Sequence, residues 1–257
     1  MTTTKSSQSC KSCQLCEKNG VLALHQENSI LKDDWESSHL RYYRIAGITL
    51  KVESDLPITD TTFHPKFTRF QVDGPGEDTI SIRHYFSLPD LDAWDLGKEI
   101  YRRPPWAIYK GGNSWVYLGI SPIPENRHVH QSAVFNYDHT KVSVYNRWEK
   151  TFLKGNLHSL TLLPTDQILL ARVLADREGC YLHSSGVILE GKGILFLGHS
   201  GAGKSTITKM MRDHALILCD DRMIVRRWKD RFWIHGTWSH GDVPEVSANS
   251  DSLSAIM

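Results

Sequence analysis

Long apolar runs are missing from this chain, and so is any excess of charge of one sign. No stretch approaches the roughly 20 consecutive apolar residues that a membrane-spanning helix needs, and the start, Met1-Thr2-Thr3-Thr4-Lys5-Ser6-Ser7, lacks the apolar segment of a secretory signal. The expectation is a cytoplasmic protein without a membrane partner. Thirty Lys and Arg stand against 29 Asp and Glu, a formal charge of +1, so no global field draws the chain to nucleic acid or to an anionic surface. Cysteine is also scarce. The five present, Cys10, Cys13, Cys16, Cys180 and Cys219, are odd in number, which argues against a disulfide framework. Cys10, Cys13 and Cys16 have the spacing of a thiolate metal or iron–sulfur site, but such sites usually take four ligands, and His25 is the only convenient fourth. A solvated, redox-sensitive tail is the plainer reading of that cluster.

What is present is an ordinary globular composition. With 257 residues, 40% hydrophobic and 23% charged, the chain can bury a sizeable core in one or two domains. Residues 1–38 are polar, Ser/Gln-rich and weakly periodic, as in a mobile tail. Residues 39–150 read as β-rich. Ile48, Leu50 and Val52 alternate with Thr49 and Lys51, and Ile80 and Ile82 with Ser81 and Arg83, the period of half-buried strands. Lys110-Gly111-Gly112-Asn113 separates two aromatic-rich runs as a hairpin turn would, and a short helical piece is expected near Leu91 to Tyr101. Residues 151–257 read as a nucleotide-binding domain. A helix is expected over Asp166–Arg177, with Thr165 as its cap, and Gly186–Leu189 and Ile194–Leu197 flank a tight turn.

That second hairpin runs directly into Gly198-His199-Ser200-Gly201-Ala202-Gly203-Lys204-Ser205-Thr206, a complete G-x-x-x-x-G-K-S phosphate-binding loop between a strand and a helix-competent segment. Its glycines let backbone N–H groups face phosphate oxygens, Lys204 can reach the β- and γ-phosphates of ATP, and Ser205 can ligate Mg²⁺. Downstream, the apolar run Ala215–Cys219 ends in Asp220-Asp221. Two carboxylates at a strand end suit phosphoryl transfer: one can hold Mg²⁺, the other can accept the proton of an attacking hydroxyl. His183 begins the hairpin and is placed to orient a carboxylate or meet a phosphate. The whole scheme requires the loop and the acidic pair to open on one shared cavity. His235 to Asp242 can serve metal or substrate binding or form a turn-rich loop.

The run from Leu182-His183 through Gly186, Gly191 and Gly193 to Gly198 and Lys204-Ser205, followed by Asp220-Asp221-Arg222, resembles the catalytic core of bacterial HPr kinase/phosphorylase, including relatives encoded with peptide-modification cassettes of the SynChlorMet and lasso-peptide types. The resemblance spans about residues 180–227. It implies an α/β fold with a mixed sheet, phosphoenolpyruvate-carboxykinase-like, preceded by the β-rich region. It also implies an ATP- and Mg²⁺-dependent serine kinase acting on a protein or peptide. In that scheme His183, Lys204 and Asp221 are catalytic, residues 198–206 bind the nucleotide, and Ser205 and Asp220 hold the metal. The chain departs from the family at Thr206, where the family has Glu, and lacks its later Glu-Ile-Arg-Gly-type signature, so phosphorylase activity is not expected. Family members continue beyond the point where this chain stops, so the expectation is a nucleotide-binding domain incomplete at its C-terminus, either a fragment or a chain completed by another polypeptide or, as a homo-oligomer, by a second copy, because an exposed strand edge would invite association. The alternatives are a small-molecule kinase of the adenylylsulfate-kinase type and a non-catalytic nucleotide-sensing regulator.

Overall fold

The computed structural model describes residues 38–123, 125, 128–161 and 165–257; the predicted tail and the Cys10/Cys13/Cys16 metal site lie outside them. Strands dominate. Among the described residues fifteen strands form two sheets, connected by short helices. The first sheet has nine strands in the order β3-β1-β2-β4-β9-β8-β7-β6-β5. These are β1 (Leu40–Ile45), β2 (Ile48–Ser54), β3 (Gln71–Val72), β4 (Thr79–Tyr85), β5 (Lys98–Arg103), β6 (Trp106–Lys110), β7 (Ser114–Ile120), β8 (Val129–Asn136) and β9 (Lys141–Asn146). Pairing is antiparallel except where β4 joins β2 and β9.

The alternation in the sequence sets which face is inside. Ile48, Leu50, Val52, Ile80 and Ile82 are fully buried, each worth roughly 2 kcal/mol of apolar burial. Over them lies an aromatic layer in which Phe63 meets Phe67 and Phe152 edge-on, with ring centroids 6.0 and 6.2 Å apart. The hairpin around residues 110–113 forms as expected, Tyr109 pairing with Val116. The helical piece near Leu91 does not extend to Tyr101. It is a single 3-10 turn, Leu91–Ala93, and Lys98–Arg103 instead forms an exposed edge strand, because its side chains have a partner strand beside them but no core to turn a helical stripe toward.

Two helices, α1 (Lys150–Lys154) and α2 (Thr165–Ala175), connect to the second sheet. Helix α2 buries Leu169, Leu170, Val173 and Leu174. Just after it Arg177 grips Asp78 of the first half through two bonds, Nε to Oδ2 at 2.5 Å and Nη2 to Oδ1 at 2.7 Å, the planar geometry that makes Arg–carboxylate pairs strong. The second sheet is built from β10 (Gly179–Leu189), β11 (Lys192–Leu197), β12 (Leu216–Cys219), β13 (Arg222–Trp228), β14 (Arg231–His235) and β15 (Ser250–Ile256). Strands β10 and β11 form the expected hairpin. Its two turn residues, Glu190 and Gly191, both have positive φ (51° and 69°), which matches a two-residue turn to the twist of its strands.

Strand β15 lies between β11, to which it is parallel, and β14, to which it is antiparallel, so β10, β13, β14, β15 and β11 close into a ring. Although the sheets separate near the expected boundary at residue 150, the halves share one core. Ile45, Leu50 and Val144 belong to the same buried cluster as Leu195, Leu218 and Met223. Trp238, in the loop after β14, seats on Phe67 and Phe70 with centroids 5.2 and 5.3 Å apart.

Candidate functional site

Strand β10 carries the geometry. Leu197 pairs with Ser184 on one side of it, and on the other side the Ser184 amide donates to the Asp221 carbonyl at 3.0 Å. Strands β11 and β12 both run antiparallel to β10 and hence parallel to each other. They reach the same level of the sheet, one continuing into the phosphate loop and the other into Asp220-Asp221. With neighbouring strands about 4.8 Å apart, the Asp221 backbone lies about 10 Å from the strand end that launches the loop.

The loop itself is exposed from Gly198 to Gly203, whereas Lys204 is buried. Gly201 and Gly203 have φ of 84° and 91°, values that a side chain resists, and the Ala202 amide closes a turn on the His199 carbonyl at 3.1 Å. Helix α3 (Lys204–Met210) follows directly. The Lys204 ammonium rests on the carbonyls of Gly198 and His199 at 2.8 and 3.0 Å, which holds the charge at the mouth of the loop. His199 lies exposed beside it, its Nδ1 2.6 Å from the Ser200 carbonyl, to which it donates. Ser200, Ala202 and Thr206 are likewise exposed, and Ser205 is half-buried at the start of the helix.

The acidic pair is split between two jobs. Asp220 is only 2% exposed, and its two carboxylate oxygens accept the amides of Gly241 and Val243 at 2.6 and 2.9 Å. It clamps the loop that follows β14, so the expectation that the phosphate loop and both carboxylates open on one shared cavity is not met: the cavity at Asp221 is lined neither by Asp220 nor by residues 198–206. Asp221 is half-buried and open to the surface. Its oxygens stand 3.8 Å from His183 Nε2 and 3.8 Å from Arg222 Nε, close enough for charge attraction but beyond hydrogen-bond reach. His183 is exposed beside it. His183, Asp221 and Arg222 are thus gathered at the loop end of the sheet, and Arg222 had no role assigned from sequence.

Asp220→Asn is expected to cost roughly 2–3 kcal/mol, because one amide donor would then face an NH₂ group instead of a charged acceptor. A thermal melt should show the drop, and limited proteolysis should cut earlier within residues 236–249. An unchanged melt would refute the clamp.

Asp221 also lines a cavity of about 340 Å³ whose other walls include Lys66, His158, Asp166, Trp238 and His240. Lys66 comes from the first half of the chain, and His158 from the connection between the two sheets. Nothing in their local sequence marks them, since only the docking of Trp238 brings them to Asp221. The segment His235–Asp242 resolves as the end of β14 and a loop. His235 is buried, the Thr237 hydroxyl caps the Arg222 carbonyl, and no group of three His, Cys, Asp or Glu side chains among the described residues is arranged to hold a metal by itself. A Mg²⁺ ion therefore fits here only in the manner usual for nucleotide sites, with few protein ligands and the remainder from phosphates; Ser205 is the residue placed to supply one.

No described helix is long and apolar enough to cross a membrane. Comparison with known proteins finds no family model that matches the chain and no match among curated proteins.

Proposed function

We propose that this protein is an ATP- and Mg²⁺-dependent kinase of the HPr-kinase-like type, cytoplasmic, that transfers the γ-phosphoryl group to a Ser or Thr hydroxyl of a protein or peptide. One observation carries the reading: the phosphate loop and Asp221 leave parallel strands at the same level on either side of β10. Phosphoryl transfer needs a cradle for the donor within reach of a carboxylate for the acceptor; the two stand at the same end of the sheet, although the cavity at Asp221 is lined by none of residues 198–206. The hairpin that feeds the loop and the closed, mixed second sheet suit a phosphoenolpyruvate-carboxykinase-like domain better than the parallel sheet of an adenylylsulfate-type kinase.

In this reading the loop amides of residues 198–206 and the Lys204 ammonium hold the triphosphate. Bound Mg²⁺ would supply charge neutralisation at the β- and γ-oxygens, with Ser205 as its protein ligand. Asp221 accepts a hydrogen bond from the acceptor hydroxyl and takes its proton as the new O–P bond forms and the bond from the γ-phosphorus to the β–γ bridging oxygen breaks, with ADP leaving. Arg222 attracts the carboxylate from 3.8 Å, and His183 stands beside its other oxygen at the same distance. Asp220, bound to two backbone amides, acts by positioning the loop after β14, and any hold on the metal would be through that arrangement. The commitment of Asp220 also favours the second reading, a nucleotide-binding regulator without transfer.

Incubation with labelled ATP, Mg²⁺ and Ser- or Thr-containing peptides separates the two. The kinase reading expects peptide mass to rise by one phosphoryl group, and expects Lys204→Ala to reduce kcat/KM roughly 10²-fold, the worth of one preorganised charge donor. Tight ATP binding with no transfer to any peptide would leave the regulator.

A further inference from the structure

Among the cavities and side-chain clusters of the molecule, the one that Asp221 shares with the first half of the chain has a charge pattern that the proposed chemistry does not use. Its volume, about 340 Å³, is at the small end for ligand pockets and suits a side chain with its flanking peptide. On the wall opposite the kinase half stands Lys66, in the 3-10 helix Pro65–Phe70. Its ammonium is half-buried, lies 5.4 Å from the centroid of the Phe67 ring and forms no ion pair among the described residues. The acid nearest in the cavity wall, Asp166, is itself buried and already committed, accepting the amides of Leu160 and Thr161 at 2.8 and 3.1 Å and the Thr161 hydroxyl at 2.8 Å. Asp166 acts on the Lys66 ammonium by charge from a distance, but among the described residues no counter-charge touches this partly desolvated group, which is costly.

The imidazoles around it do not supply that counter-charge. The rings of His64 and His158 lie tilted at 39° with centroids 4.4 Å apart, and His240 lies 6.3 Å from His64. His64 Nδ1 accepts the backbone amide of Lys66 at 3.1 Å, so its ring is held neutral with the proton on Nε2. Burial, and then neighbouring positive charge, push both His64 and His158 below the ordinary histidine range. The cluster thus surrounds the Lys66 ammonium with imidazole rings, of which His64 is held neutral by the amide it accepts. It is not a metal site, since no three ligating groups converge among the described residues.

The geometry points to this cavity as the acceptor pocket, taking a peptide in which an Asp or Glu lies next to the reacting Ser or Thr: the peptide carboxylate pairs with Lys66 while the hydroxyl meets Asp221. The inference rests on the kinase reading for its hydroxyl end only. Its carboxylate end follows from Lys66 alone. Like-charged peptides are rejected by the same feature, because a Lys beside the hydroxyl residue would be driven against an unpaired ammonium.

The test uses the full chain with Mg²⁺ and ATP and three synthetic peptides that differ only beside the serine, carrying Asp, Asn or Lys. Wild-type protein should favour the Asp peptide over the Asn peptide by about tenfold in kcat/KM, the worth of one charge-assisted hydrogen bond, and should use the Lys peptide least. Lys66→Met should bring the Asp and Asn peptides level while leaving the ATP dissociation constant unchanged; Lys66→Arg should retain the preference, which guards against a folding defect. Calorimetric titration of the Asp peptide without ATP gives the second readout. Peptide binding that is lost in Lys66→Met but unaccompanied by transfer would support the pocket and end the kinase reading. Transfer that ignores the flanking residue and survives Lys66→Met intact would do the reverse. Neither binding nor transfer by any of the three peptides would overturn the pocket.

Discussion

Replacing Asp221 by Asn is expected to lower phosphoryl transfer roughly 10²- to 10⁴-fold, the usual contribution of a positioned general base, while ATP affinity stays at the wild-type value. The side chains have the same shape. Asn can still accept a hydrogen bond from the acceptor hydroxyl but cannot take its proton. The backbone register through Asp221 is set by the Ser184 amide on its carbonyl and does not depend on the side chain. Its contacts to His183 and Arg222, at 3.8 Å on a half-exposed group, are of the kind worth at most about 1 kcal/mol, so the variant should melt close to wild type. Asp220→Asn is its mirror image, with loss of stability through the two buried amide bonds. Single-turnover transfer, calorimetric ATP titration and thermal melts on both variants separate the roles. Full transfer by Asp221→Asn would remove it as the base and leave His183, the exposed neighbour on β10, as the group to test.

The contrast between the two aspartates marks how far the sequence could be read. The phosphate loop, its flanking hairpin and the strand ending in the acidic pair are consecutive features, each decided by residues within a few positions of one another. Alternation put Leu50 and Ile82 in the core for the same local reason. Which of two adjacent carboxylates faces outward is not local. It depends on the Gly241–Val243 amides, which arrive from beyond β14 to take Asp220, and on a strand continuation from β12 to β13 that keeps Asp221 beside β10. The same holds for Lys66 and His158, which are ordinary surface residues in sequence and become cavity walls only when Trp238 docks on Phe67 and Phe70. The closure of β15 onto β11 was hidden for a further reason: Ser250–Ile256 is half-polar and shows little of the apolar run expected of a strand flanked on both sides.

The second large effect concerns acid. His84, on β4, is fully buried with its ring 5.7 Å from that of Phe152. Its Nε2 lies 2.8 Å from the Leu160 carbonyl, which can only accept, so Nε2 carries the proton, and Nδ1 faces the Asn146 side-chain nitrogen at 3.4 Å as an acceptor. A second proton would have to sit between two donors. Burial accordingly pushes His84 down to about 4. His235 reaches about 4 as well, through burial and then the charge of Arg226, and its Nε2 has no partner among the described residues. In the unfolded chain both histidines take up a proton near 6.5, so unfolding binds protons between about pH 6.5 and 4 and stability falls as pH falls through that window, at about 1.4 kcal/mol per pH unit for each histidine. Above it the two contribute no slope. At pH 5.5 the pair should have removed about 3 kcal/mol relative to pH 7.5, and His64, His130, His139 and His158, also depressed chiefly by burial, act in the same direction. Urea unfolding at a series of pH values measures the loss directly. His84→Asn should be less stable at pH 7.5, through the lost ring packing, yet should lose about 1.4 kcal/mol less than wild type on going to pH 5.5. An identical pH slope in wild type and variant would mean that His84 is already protonated in the folded protein, and the tautomer and hydrogen bonds assigned to it would then be wrong.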